Sequence, residues 1–271
     1  MKDLERLVKL VTGCNRLCEE WKDLYREEVE NRIIKKLEDG SLIEKWMKKD
    51  EQQDTNIGTI RFLSGAFNMK KGDGNHALSI MLGTCFQSSI QKLLIKECKR
   101  NKEKFRLIGT SKNGKYMIGS NELDIIPFVD ETHKIVRVIE CKFSILLDRG
   151  KTQSLNKRLI NTRRIVREAE DGYGRYEVLS VVLVGTKETK EDVYNASKQR
   201  DIDKELLMGM KDFFLLFGEK ISLKEDILPV YLECWENIEK NFPNKSFRYN
   251  TDDVIKYYSK IDEWLTSDWR V

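Results

Sequence analysis

Two apolar, strand-like runs near the middle of the chain carry charges that an ordinary core strand does not. Glu122-Leu123-Asp124-Ile125-Ile126-Pro127-Phe128 is followed, after a turn, by Val136-Arg137-Val138-Ile139-Glu140-Cys141-Lys142. Charged groups are seldom buried in a strand unless they are paired or bind something. The fold must therefore bring an aspartate, a glutamate and a lysine to a place where their charges are compensated. Side chains alternate along a strand, so Glu140 and Lys142 share a face and Cys141 points the other way. With the turn Asp130-Glu131-Thr132-His133 centred near Thr132, Asp124 lies opposite Glu140 in an antiparallel hairpin. A turn shifted by one residue changes that pairing.

The rest of the chain supplies a setting for this hairpin. Leu4, Leu7, Val8, Val11, Cys14, Cys18, Trp21 and Tyr25 recur at helical spacing within residues 1–50. Residues 50–75 are polar and glycine-broken, and read as a loop. A second helix over 76–99 has Leu78, Met81, Leu82, Phe86, Ile90, Leu93 and Leu94 on one face. From Phe105 the period changes to strand-like runs, FRLIGT, KYMIGS, ELDIIPF, KIVRVIECKF and EVLSVVLVG, with turn chemistry such as Asn113-Gly114 between them. A basic helix, about 151–170, separates the last two. From Lys204 onward the chain reads as helical again, with Trp235 and Trp264 on apolar faces. The expectation is a single α/β domain over 1–271, with its core at about 76–185 and helical flanks at 1–75 and 204–271.

Composition narrows the function classes. With 40% hydrophobic residues in 271 the chain can bury a core, and no apolar window is long enough to span a bilayer. The start, MKDLERLVKLV, has no signal-peptide core, so the expected compartment is the cytoplasm. The six cysteines (14, 18, 85, 98, 141 and 234) suit free thiols there. A zinc site at Cys14 and Cys18 needs two further ligands, and the histidines are only His76 and His133. The net charge of +4 says little, but its distribution says more. Arg149, Lys151, Lys157, Arg158, Arg163, Arg164 and Arg167 fall in one stretch with no Asp or Glu. Such a local excess suits a polyanion; it also reads as a solvated helix face compensated by Glu168, Glu170 and Asp171.

Two carboxylates and an ammonium at this spacing have an evident chemistry. Mg²⁺ takes oxygen ligands, often one or two carboxylates together with phosphate oxygens. Asp124 and Glu140 supply carboxylates, and the backbone carbonyl of Cys141 a further oxygen. A metal there lowers the pKa of water and offsets charge on a phosphodiester under attack. Lys142 is placed to orient or deprotonate that water, or to stabilise developing charge. The same residues also read as an ordinary buried salt bridge, a costly arrangement.

Asp124, fifteen intervening residues, and Glu140-Cys141-Lys142 resemble the PD-(D/E)xK nuclease motif. The order helix, strand hairpin, helix, strand over roughly 76–185 is similar to that superfamily, and most similar to Type II restriction endonucleases. The resemblance implies a restriction-endonuclease-like core, a central mixed β-sheet flanked by helices, with helical N- and C-terminal regions. It also implies a Mg²⁺-dependent endonuclease cutting double-stranded DNA at a specific short sequence, acting as a homodimer, with a companion methyltransferase protecting the host. Gly83-Thr84-Cys85-Phe86-Gln87 is similar to the helix that often adds a glutamate to the metal site; here Gln87 stands in that place. Leu123 replaces the motif's proline, which is not a ligand. Gly209-Met210-Lys211-Asp212-Phe213-Phe214 is weakly similar to a later segment of some restriction enzymes. Lys151, Gln153, Asn156, Lys157 and Arg158 are the candidates for DNA contact, by phosphate positioning or base-edge readout.

Two other readings stand beside this one. A repair or recombination nuclease of the same superfamily would gain from a Gln-x-x-x-Tyr helix, but Gln153 is followed at that spacing by Lys157. A non-catalytic DNA-binding protein would bind in a salt-sensitive way without Mg²⁺-dependent cutting.

Overall fold

The two longest apolar runs of the chain, IVRVIECK and EVLSVVLV, become its two longest strands. Uninterrupted runs of this kind are what a strand buried on both faces requires. The computed structural model describes residues 15–39, 76–108, 110–112, 115–118, 121–123, 127–143, 149–168, 175–196 and 204–241. In chain order these form α1 (Arg16–Val29), a π-helical turn (Glu30–Ile34), α2 (Lys35–Glu38) and α3 (His76–Arg100). There follow strands β1 (Phe105–Leu107), β2 (Thr110–Lys112), β3 (Lys115–Ile118), β4 (Asn121–Leu123), β5 (Phe128–Asp130) and β6 (Ile135–Lys142). Then come α4 (Arg149–Glu168), β7 (Glu177–Val184), α5 (Lys190–Ala196), β8 (Leu207–Gly209), α6 (Met210–Leu215) and α7 (Leu228–Lys240). Residues Leu4 to Cys14, the loop read over 50–75, Asp124 and Trp264 lie outside the described residues.

The architecture is α/β. A five-stranded mixed sheet, ordered β1-β5-β6-β7-β8, is flanked by helices, and β2-β3-β4 form a second, antiparallel sheet. The chain divides into two compact units, one of Met1–Leu24 and Phe86–Leu228, the other of Tyr25–Cys85 and Pro229–Val271. The first unit holds both sheets. In the second, the rings of Tyr25 and Tyr231 meet edge to face at 5.1 Å, and Arg26 pairs with Glu233 at 2.8 Å. Burial pushes the thiols of Cys85 and Cys234, both in that unit, up to about 12. Cys18, Cys85, Cys98, Cys141 and Cys234 are all buried free thiols.

Within the first unit, β6 and β7 pair in parallel over eight residues, from Ile135↔Glu177 to Lys142↔Val184. In-register partners project to the same face. One face thus carries Val136, Val138, Glu140 and Lys142 beside Val178, Ser180, Val182 and Val184. Helix α4, the crossover between the two strands, lies on this face. Its Val166 packs with Val136, Val138 and Val178, and its Leu159 with Val182 and Val184. The helix therefore runs back against the strands, with its N-terminal half over their C-terminal ends. The opposite face meets an aromatic chain. Phe143 touches Phe86 (6.1 Å), Phe86 touches Trp21 (6.5 Å), and Trp21 touches Phe214 (6.3 Å), in the edge-to-face geometry that ring quadrupoles favour.

Three local features depart from the sequence reading. The run Glu122–Phe128 is not one strand: β4 ends at Leu123 in the small sheet, and β5 begins at Phe128 in the large one. Pro127 has no N–H to give a ladder, and only its carbonyl takes part, accepting from the Ile108 N–H at 3.0 Å. The hairpin turn is centred between Thr132 and His133, not on Thr132, since Phe128 pairs with Arg137 and Asp130 with Ile135. The cause is Asp130. It stays in the strand, and its buried carboxylate accepts from the N–H groups of Thr132 and His133 (3.1 Å each) and contacts His133 Nδ1 (2.7 Å). Lys134 then closes the turn in the left-handed region at φ 56°. Burial opposes ionisation of Asp130, but the hydrogen bonds from His133 and the charges of His133 and Arg137 outweigh it and hold the carboxyl below its usual range. Lastly, Leu207–Gly209, expected to be helical, adds an edge strand parallel to β7.

The β8–α6 junction is held by Asp212, whose Oδ2 accepts from the N–H groups of Gly209 (3.0 Å) and Lys190 (2.6 Å). A Cβ at position 209 would lie 2.3 Å from the backbone carbonyl of Glu188. Helix α1 is capped from far along the chain. Buried Glu219 accepts from Leu17 N–H (2.6 Å) and Cys18 N–H (2.9 Å), two of the donors that a helix start leaves unpaired.

Two substitutions test this packing. Gly209→Ala is expected to lower unfolding stability by about 3 kcal/mol in urea titrations, since rigid backbone must move. Asp130→Ala is expected to cost about 2 kcal/mol at neutral pH. Because the folded-state pKa of Asp130 is depressed, that difference holds above the usual carboxylate range and shrinks as pH falls through the lowered value.

Candidate active site

Strand alternation puts Glu140 and Lys142 on one face, and the last turn of β6 brings them into contact. Lys142 Nζ donates to Glu140 Oε1 at 2.5 Å. A second cation meets the same oxygen: the Arg158 guanidinium, from α4, also donates to Glu140 Oε1. Leu159, the next residue, is buried against Val182 and Val184, and this anchors the helix so that Arg158 overhangs the end of β6. The Glu140 side chain is 10% exposed, that of Lys142 29% and that of Arg158 53%. The carboxylate is thus sunk in the sheet beside Val182, while its two cations reach it from the wetter rim. Burying a lone carboxylate here would cost several kcal/mol, and two charge-assisted hydrogen bonds offset that cost.

The backbone next to this pair is oriented too. The Lys142 carbonyl accepts from Gly185 N–H (2.9 Å), so it points toward β7. Successive carbonyls of a strand point to opposite edges. The Cys141 carbonyl therefore points to the other edge of β6, the side of β5, whose described pairing ends at Phe128. The Cys141 side chain is buried on the opposite face from Glu140.

The remaining candidates fall as follows. Asp124 lies outside the described residues. Gln87 is half-buried on α3, next to Phe86, whose ring touches that of Phe143, one residue past Lys142. Lys151, Gln153 and Asn156 lie on the first turns of α4, and Lys157 is exposed on the same helix. Arg158, assigned from the sequence to DNA contact, is brought to Glu140. The sequence gave no sign of this, because position 158 reads as one more charge in a basic helix. Lys187 was also missed. It is buried just beyond β7, and Thr186 N–H donates to the Phe143 carbonyl at 3.2 Å. Burial pulls the Lys187 ammonium below its usual pKa, with the charge of Asp192 opposing. Its signal was a lysine directly after the apolar run EVLSVVLVG.

The oxygen donors present suit a hard cation. Glu140 offers a carboxylate in a spot that already stabilises two positive charges, and the Cys141 carbonyl points away from β7 nearby. Among the described residues, no three of His, Cys, Asp and Glu cluster as a metal centre. Among them, too, no helix is long and apolar enough to cross a membrane. Comparison with family models, curated proteins and solved structures returned no match.

Glu140→Ala is expected to lower stability by about 1–3 kcal/mol in urea titrations, as Lys142 and Arg158 are left facing each other. High salt is expected to reduce that loss through screening.

Proposed function

We propose that the chain is a Mg²⁺-dependent endonuclease of the restriction type, with a restriction-endonuclease-like core, hydrolysing phosphodiester bonds of double-stranded DNA at a specific short sequence. The observation that carries this reading is the pairing of Glu140 with Lys142 at the C-terminal end of a buried parallel strand, roofed by a helix rich in Lys and Arg. The element order of helix, antiparallel hairpin, crossover helix and parallel strand supports it.

In this reading Glu140, the Cys141 carbonyl and Asp124 hold the metal, and Gln87 lies on the neighbouring helix. The bound ion supplies Lewis acidity to water and to the scissile phosphate. Glu140 fixes the position of Lys142 through their hydrogen bond. Lys142 Nζ then orients the attacking water or carries positive charge against the phosphate oxygens as they gain charge. The buried wall of Val182 and Val184 limits water around the pair, which strengthens these electrostatic contacts. Lys151, Gln153, Asn156 and Lys157 on α4 hold the DNA backbone or read base edges. Cutting both strands would call for a second copy of the chain, hence a homodimer.

The test is incubation with a long unmethylated plasmid, with Mg²⁺ or EDTA, alongside Asp124→Ala and Lys142→Ala. The expected outcome is discrete fragments that need Mg²⁺ and disappear in both variants, with a rate loss of at least about 10²-fold. A smear would favour a nuclease that reads structure and not sequence. Binding without cutting would favour a DNA-binding protein.

A further inference from the structure

Arg158 is the feature of this site that a metal-and-lysine scheme leaves over. Glu140 carries one negative charge, and both Lys142 and Arg158 spend theirs on the same oxygen, Oε1. One cation suffices to neutralise one carboxylate. A divalent ion approaching Glu140 would meet both, and like charges at such distances repel strongly in a partly dry site. One of the two must give way, and their attachment decides which. Lys142 is two residues from Glu140 on the same strand and 29% exposed, so it stays in the site whatever its rotamer. Arg158 comes from a separate element, is 53% exposed, and sits on a long side chain at the solvent rim. Its helix stays fixed by Leu159 when the guanidinium moves.

We infer that Arg158 occupies the metal-binding side of Glu140 in the metal-free protein and exchanges with the divalent ion, its guanidinium being released to the phosphate of the DNA. This deepens the nuclease reading and rests on it for the DNA half alone. A guanidinium is suited to that second task, because its planar fork of donors matches phosphate oxygens as well as carboxylate oxygens. The exchange couples the two ligands. Metal bound without DNA leaves Arg158 without its carboxylate, and DNA bound without metal leaves the phosphate facing Glu140. Each ligand therefore favours the other.

The experiment measures Mn²⁺ binding to the full-length protein without DNA, from the loss of the free-ion electron paramagnetic resonance signal. Wild type is compared with Arg158→Ala, Arg158→Gln, Glu140→Gln and the double variant Glu140→Gln/Arg158→Ala. Removing the competing cation is expected to tighten Mn²⁺ binding roughly tenfold in both Arg158 variants, the scale of one hydrogen bond to a charged group. The gain should vanish in the Glu140→Gln background. In parallel, single-turnover plasmid cleavage by Arg158→Ala should need less Mg²⁺ for half-maximal rate, yet be slower at saturating Mg²⁺ and DNA, with partial rescue in Arg158→Lys. Unchanged or weaker Mn²⁺ binding in the Arg158 variants overturns the exchange even if the wild type cuts DNA. Tighter binding in a protein that cuts no DNA supports the exchange and overturns the nuclease reading. No Mn²⁺ binding by the wild type overturns both.

Discussion

The parallel pairing of β6 with β7 is the constraint on which the rest of this structure depends. Eight residues of each strand are in register, and a parallel pair cannot be joined by a tight turn, so the chain must leave the sheet and return over one face. That return is α4. Its Leu159 and Val166, seven residues apart and so on one helical face, seal the valines of both strands. The position of every basic residue on α4 relative to Glu140 follows from those two contacts. A helix free to slide by one turn would carry Arg158 away from the carboxylate.

The same pairing explains why charges can sit in the sheet. Glu140 has Val182 as its in-register neighbour and little exposure, a setting that opposes ionisation unless cations are near. They are near because β6 ends there: beyond Lys142 the strand gives way, and a lysine and an arginine can reach in from the rim. The end of a buried strand is thus a place where a carboxylate can be dry on one side and compensated on the other. Asp130 shows a second solution at the other end of β6, where a buried carboxylate is satisfied by the N–H groups of its own turn.

Much of this was legible in the residues. The unbroken apolar runs marked β6 and β7, the three-and-four spacing marked α1 and α3, and strand alternation put Glu140 and Lys142 on one face. What failed to show has physical reasons. The run Glu122–Phe128 has one uniform pattern, and a pattern does not say which of two sheets a strand joins. The hairpin centre was off by half a residue because Asp130 was counted as turn, when its carboxylate caps the turn from the strand. Leu207–Gly209 is too short to show any period, and is a strand only because β7 offers it an edge. The bond from Arg158 to Glu140 and the cap from Glu219 to α1 link elements distant in sequence, so no local signal carries them.

The crossover has a consequence for how the molecule comes together. The strands β6 and β7 are neighbours in space but are separated along the chain by the whole of α4, so closing their ladder means closing a large loop before any ladder bond forms. That loop holds seven Lys and Arg residues between Arg149 and Arg167, with no acidic residue among them. Until Glu140 is in place, they can only repel one another. Counterions that quiet this repulsion act on assembly as well as on the finished surface, and the carboxylate at the end of β6 is among the first native groups able to draw the helix home.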